Sequence, residues 1–132
     1  MTAASPAQRD EFERLWSTPP GLRGALSAVN NTTLGVRYMV TALVFFAVGG
    51  VMALLLRVQL IAPDQELIGP QRFNELFTMH GSTMMFLFVV PFLEGLALYL
   101  LPLQIGSRDV AFPRLTAFGY WTCLFGGVVF LG

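Results

Sequence analysis

The sequence predicts an all-α membrane protein with three membrane-crossing helices, and three observations carry that reading. The 132 residues are 55% hydrophobic and only 12% charged, against roughly 25% charged in ordinary soluble chains. The apolar residues gather into three long runs rather than spreading at the spacing of a soluble core. Between the runs lie short segments rich in Pro, Gly and charge. Eight basic residues, all Arg, balance eight acidic ones, so nothing marks a nucleic-acid partner. A single cysteine, Cys123, excludes an internal disulfide and a zinc cluster.

Residues 1–32 read as a tail. Ser5-Pro6-Ala7-Gln8 has the pattern of a helix start, with a capping Ser, Pro in the first turn and Gln three residues on. Phe12, Leu15 and Trp16 then share one side of a short amphipathic helix suited to a membrane surface, or lie in a disordered tail. Thr18-Pro19-Pro20-Gly21 ends that segment. The first apolar run starts too late for a secretory signal.

The first span is expected over about Leu34 to Leu56. Tyr38 to Leu56 carries no charge and extends roughly 28 Å at ~1.5 Å per residue. Gly49 and Ala53, four apart, mark a face another helix can approach closely. Arg57 closes the run, and a loop with Pro63, Asp64, Gly69 and Pro70 follows. The second span, Leu76 to Leu103, holds His80 and Glu94 as its only readily ionisable side chains. Pro91 inside it predicts a kink, and Pro102 its end. Gly106-Ser107-Arg108-Asp109 is a polar turn. The third run, Leu115 to Gly132, has Gly119, Cys123 and Gly127 on one packing stripe and stops while still apolar, as a truncated span would. Six Arg fall on the side of the tail and second loop and two on the other. The positive-inside rule therefore puts the N-terminus in the cytoplasm, with Arg57 and His80 near the outer face.

His80 is the only histidine. An imidazole within an apolar span suits an axial haem ligand, since neutral imidazole binds iron and an apolar pocket holds the porphyrin. Gly81 beside it lets a flat ring approach the backbone, and Arg57 ends the preceding span on the same side. Met84, one turn on, shares the face of His80 and cannot take the opposite side of the same iron. The competing reading is a structural His bonded to a neighbouring helix. The residues alone leave both open.

The blocks Phe77-Thr-Met-His80-Gly-Ser-Thr-Met84, Leu54-Leu-Leu-Arg57-Val-Gln-Leu60 and Leu101-Pro-Leu-Gln-Ile-Gly-Ser-Arg-Asp109-Val-Ala-Phe-Pro-Arg-Leu115, with Trp121 after them, resemble subunit I of the haem–copper terminal oxidases over residues 33–132. The resemblance implies the first three helices of a twelve-helix bundle in a bacterial plasma membrane. It implies dioxygen reduction with electrons from cytochrome c or a quinol, coupled to proton translocation, in a complex with subunits II and III. His80 matches an axial ligand of the low-spin haem, taken as haem A; Arg57 matches the arginine at that haem's formyl group. Asp109 matches the acidic residue at the mouth of a proton-uptake channel. The high-spin haem and the copper belong to the rest of subunit I. Two asparagines of the family pattern are replaced here, by Leu98 and Thr116. Glu94, nearly four turns from His80 and so expected on its face, is the candidate proton relay in their stead, or else a protonated side chain bonded to a neighbour. A nitric oxide reductase-like large subunit and a small three-span haem-binding or structural protein are the rival readings.

Overall fold

The computed structural model describes residues 5–8, 10–11, 21–63 and 67–132. At its start the predicted capping box is closed. The Ser5 N–H donates to Gln8 Oε1 at 3.0 Å and the Gln8 N–H to Ser5 Oγ at 3.4 Å. Phe12, Leu15 and Trp16, Thr18-Pro19-Pro20 and Asp64 lie outside the described residues. A short helix that the sequence reading did not anticipate, Leu22–Ser27, precedes the first span. Arg37 reaches back to it, donating from Nη1 to the carbonyls of Leu26 and Ala28 at 3.2 and 3.4 Å. Such cationic bonding relieves carbonyls that a helix end leaves without an intrahelical partner.

Among the described residues, three helices are long and apolar enough to cross a membrane: Asn31–Gln59, Pro70–Ile105 and Pro113–Leu131. No strand occurs among the described residues. The first span begins three residues before Leu34 because Asn30 caps it, its side chain accepting from the Thr33 N–H at 2.8 Å. At ~1.5 Å per residue the second span is roughly 54 Å long. That exceeds the ~30 Å hydrocarbon thickness, so it tilts or projects beyond it.

The first span is the hub. It packs along the second over its whole length and touches the third. Asn31 meets Leu98, Gly35 meets Gly95 and Tyr99, and Gly49 meets His80, Thr83 and Met84, which makes the first two spans antiparallel. Gly119 sits at Tyr38 and Gly127 at Phe45, so the third runs parallel to the first. The glycine stripe expected on the third span is a packing face. Cys123 also packs there, against the small core of Leu34, Tyr38 and Tyr120. The opposite faces of the spans carry exposed Val, Leu and Phe, the pattern lipid contact requires.

The closest crossing was not apparent from the sequence. A Cβ built on Gly95 would lie 2.7 Å from the Gly35 carbonyl oxygen and 2.7 Å from Tyr38 Cβ. A Cβ on Gly35 would lie 2.7 Å from the Gly95 oxygen. Here backbone rests on backbone, a contact open only to glycine.

The second span departs from expectation at both prolines. Ahead of Pro91 the helix does not simply kink: Thr83–Val89 forms a π-helical segment, and the Val90 N–H donates to Met85 O, five residues back. Pro91, fully buried, then sits in the first turn of the next α-segment, Val90–Ile105. The widened turn shifts the bonding so that the missing proline N–H is absorbed locally. Pro102 does not end the helix but lies inside it. The end comes at Gly106, at φ 70°, where the Ser107 N–H donates to Pro102 O at 2.9 Å and the Gly106 N–H to Leu103 O at 3.4 Å. This is a Schellman closure, which needs a left-handed residue and selects glycine.

Candidate functional site

His80 lies on the part of the second span that crosses Gly49 of the first. Its Nδ1 is 2.9 Å from the Gly49 carbonyl oxygen. A carbonyl only accepts, so the proton of the neutral ring is on Nδ1 and the Nε2 lone pair is left bare. Nε2 has no protein partner among the described residues. At the next residue the helix surface is open, since a Cβ on Gly81 would meet nothing within 4 Å. Phe77, one turn before His80, and Met85 are exposed on the same stretch. The competing sequence reading, a His bonded to a neighbouring helix, is thus realised at Nδ1. It leaves the other nitrogen available, the arrangement by which metal-ligating imidazoles are usually oriented.

His80 and Arg57 do not sit at one level along the first span. Gly49 lies nearly three turns inside the end of the first span, and Arg57 is about 12 Å further along the axis at ~1.5 Å per residue. Arg57 is exposed, in the last stretch of its helix. The two residues occupy the same half of the bundle at different heights.

Glu94 does not share the inward face with His80. The π-segment between them takes up an extra residue, so Gly95 rather than Glu94 falls opposite the first span. Glu94 is exposed and borders a cleft of about 470 Å3 whose wall also includes Leu98, Pro102, Ser107 and Asp109. The structure therefore brings Glu94 and Asp109 to one cavity, at the opposite end of the bundle from Arg57.

Asp109 has a structural task as well. Its Oδ1 accepts from the Asn31 N–H at 3.1 Å and from the Val110 N–H at 2.8 Å. A carboxylate at the first N–H of a helix is favourably placed against the helix dipole. Asn31 in turn donates from Nδ2 to Leu98 O at 3.3 Å, which locks the polar turn to the start of the first span. Deeper in the bundle, Thr41 and Tyr120 share a hydrogen bond at 3.0 Å, and the rings of Tyr38 and Tyr120 meet edge-to-face at 5.2 Å. Neither pair carries a local sequence signal, because the partners are far apart in the chain. Among the described residues no three His, Cys, Asp or Glu side chains converge into a metal site.

Residues 33–132 match the family described as cytochrome c and quinol oxidase polypeptide I. The chain belongs to this family. It is 46% identical over 107 residues to the probable cytochrome c oxidase subunit 1-alpha of Streptomyces avermitilis, covering 81% of this chain and 18% of that protein. It is 46% identical over 106 residues to cytochrome c oxidase subunit 1 of Corynebacterium efficiens, covering 80% of this chain and 18% of that protein. With the subunit of Corynebacterium diphtheriae the identity is 43% over 138 residues, 99% of this chain and 24% of that protein. The chain therefore spans about a fifth of the length of these oxidase subunits. The matched region contains His80, Arg57, Glu94 and Asp109, the second and third spans, and the first span but for its opening two residues.

Proposed function

We propose that this chain is the N-terminal part of the catalytic subunit of a bacterial respiratory terminal oxidase, with His80 as one axial ligand of the low-spin haem. The parent enzyme reduces dioxygen to water with electrons from cytochrome c and couples this to proton translocation. The observation that carries the ligand assignment is the 2.9 Å contact of His80 Nδ1 with Gly49 O, which leaves Nε2 free for iron. The surroundings fit a flat macrocycle: open space at Gly81 and an apolar flank with Phe77 and Met85. Bound there, the haem supplies a one-electron carrier.

The residues of this chain hold and orient that group. Gly49 fixes the ring of His80, and Arg57, exposed on the same half of the first span, is the side chain for the haem A formyl edge. With one histidine in the chain, the second axial ligand, the high-spin haem and the copper are assigned to the rest of subunit I. Asp109 and Glu94 are proposed as entry and relay for protons. Their shared cleft supports this, as does Asp109 Oδ2, which takes no part in the bonds made by Oδ1. The excess of arginine beside the tail and second loop supports a cytoplasmic N-terminus, and with it a cytoplasmic reading of that cleft.

The test is His80→Ala in the complete subunit, read by a reduced-minus-oxidised spectrum of the purified complex. The expected result is loss of the low-spin haem band while the high-spin band remains. Retention of the full low-spin band overturns the assignment.

A further inference from the structure

Gly49 offers no side-chain chemistry, yet its backbone makes the one polar contact that His80 has among the described residues. We infer that Gly49 is a positioning residue that sets the electron affinity of the iron carried by His80, by keeping its carbonyl within hydrogen-bond reach of Nδ1. The inference rests on the haem-ligand reading above and deepens it.

Two observations show why this position takes a small residue, with the tip of Met84 the part that must yield to anything larger. A Cβ on Gly49 would stand 2.8 Å from Met84 Sδ, 3.4 Å from Met84 Cγ and 3.6 Å from Thr83 Cγ2. Thr83 is fully buried and opens the π-segment, so this part of the second span has little freedom to retreat. A Cβ on the next residue, Gly50, would meet nothing within 4 Å. The need for space is thus local to the residue whose carbonyl serves His80. Removing the side chain there lets the helices approach until Nδ1 and the carbonyl are 2.9 Å apart.

The electronic consequence follows from that distance. A carbonyl accepting from Nδ1–H draws the proton partly away from the ring and makes Nε2 the stronger donor. A stronger donor favours ferric over ferrous iron and lowers the midpoint potential. The same bond fixes the ring plane, because Nδ1 must point at the first span. Any substitution that pushes the carbonyl away removes both effects while leaving the ligand in place.

The experiment uses the complete subunit in its assembled complex, with redox titration of the low-spin haem as readout and haem content as control. Gly49→Val places a branched side chain against Met84 and Thr83 and widens the crossing. It is expected to weaken the preference for ferric iron about tenfold, an upward midpoint shift of about 59 mV for a one-electron couple. Adding Met84→Ala makes room and returns part of the shift, whereas Gly50→Val leaves the midpoint where it was. An unchanged midpoint in Gly49→Val with haem retained overturns the inference, as does an equal shift from Gly50→Val. Should Gly49→Val fail to assemble, Gly49→Leu, whose side chain outreaches the space a moved Met84 tip can open, decides. An upward shift that Met84→Ala reverses supports the role, and no shift overturns it. The two readings fail separately. If His80→Ala keeps its low-spin band, the haem assignment falls; if that band is lost but the Gly49 variants titrate as wild type, only the role of Gly49 falls.

Discussion

Gly95→Ala puts one methyl group where the first two spans touch backbone to backbone. The added carbon would lie 2.7 Å from the Gly35 oxygen, 2.7 Å from Tyr38 Cβ and 3.0 Å from the Met39 nitrogen. Comfortable contacts are ~3.5–4.0 Å, so the overlap is roughly 0.8 Å or more against two atoms and about half an ångström against the nitrogen. Two of these are backbone and the third is a Cβ, none of which can rotate away. The helices must separate, which loosens the packing of Leu34, Tyr38 and Tyr120 beside the crossing. Overpacking of this kind costs about 1–3 kcal/mol, and alanine's better helix propensity returns up to ~1 kcal/mol. A net loss near 1 kcal/mol or above is therefore expected, at least a fivefold shift toward the unfolded or dissociated state. The assay is thermal or denaturant loss of helix packing in detergent, with Gly50→Ala as a matched control because its Cβ meets nothing within 4 Å. Equal stability of the two variants would refute the reasoning.

Tyr120→Phe removes the 3.0 Å bond to Thr41 while keeping the ring contact with Tyr38; a loss of about 0.6 kcal/mol is expected in the same assay. Asp109→Ala leaves the Asn31 N–H without its acceptor. Destabilisation of about 1 kcal/mol should follow, read as faster amide exchange at the start of the first span. Gly106→Ala forces a Cβ into a turn at φ 70° and should cost about 1 kcal/mol, whereas Gly106→Asn should cost less.

The spans were legible because a run of apolar residues states its own burial, whatever surrounds it. Arg57, the Gly106–Asp109 turn and the third-span glycine stripe follow from the same signal, as composition and local spacing are enough to place them. The exact helix ends were not, although Asn30 and Gly106 are recognisable caps once one looks for them rather than for prolines. The Gly35–Gly95 crossing, the Thr41–Tyr120 bond and the Asn31–Asp109 cap join residues from different helices, and a single sequence does not reveal which pairs meet. The inward face expected for Glu94 failed for a definite reason. Counting at 3.6 residues per turn assumes an uninterrupted α-helix, and the segment Thr83–Val89 is not one. That Asp109 and Glu94 border the same cleft depends on that offset too, since it turns Glu94 aside from the first span.

The wide turn at Thr83–Val89 acts as a clutch in the second span. On one side of it the helix is clocked by His80 against Gly49; on the other it is clocked by Gly95 against Gly35. Each half can keep its own azimuth. An insertion or deletion near Glu94 would carry Gly95 off Gly35 and re-aim the cleft wall, while the imidazole, clocked on the far side of the wide turn, would keep its register.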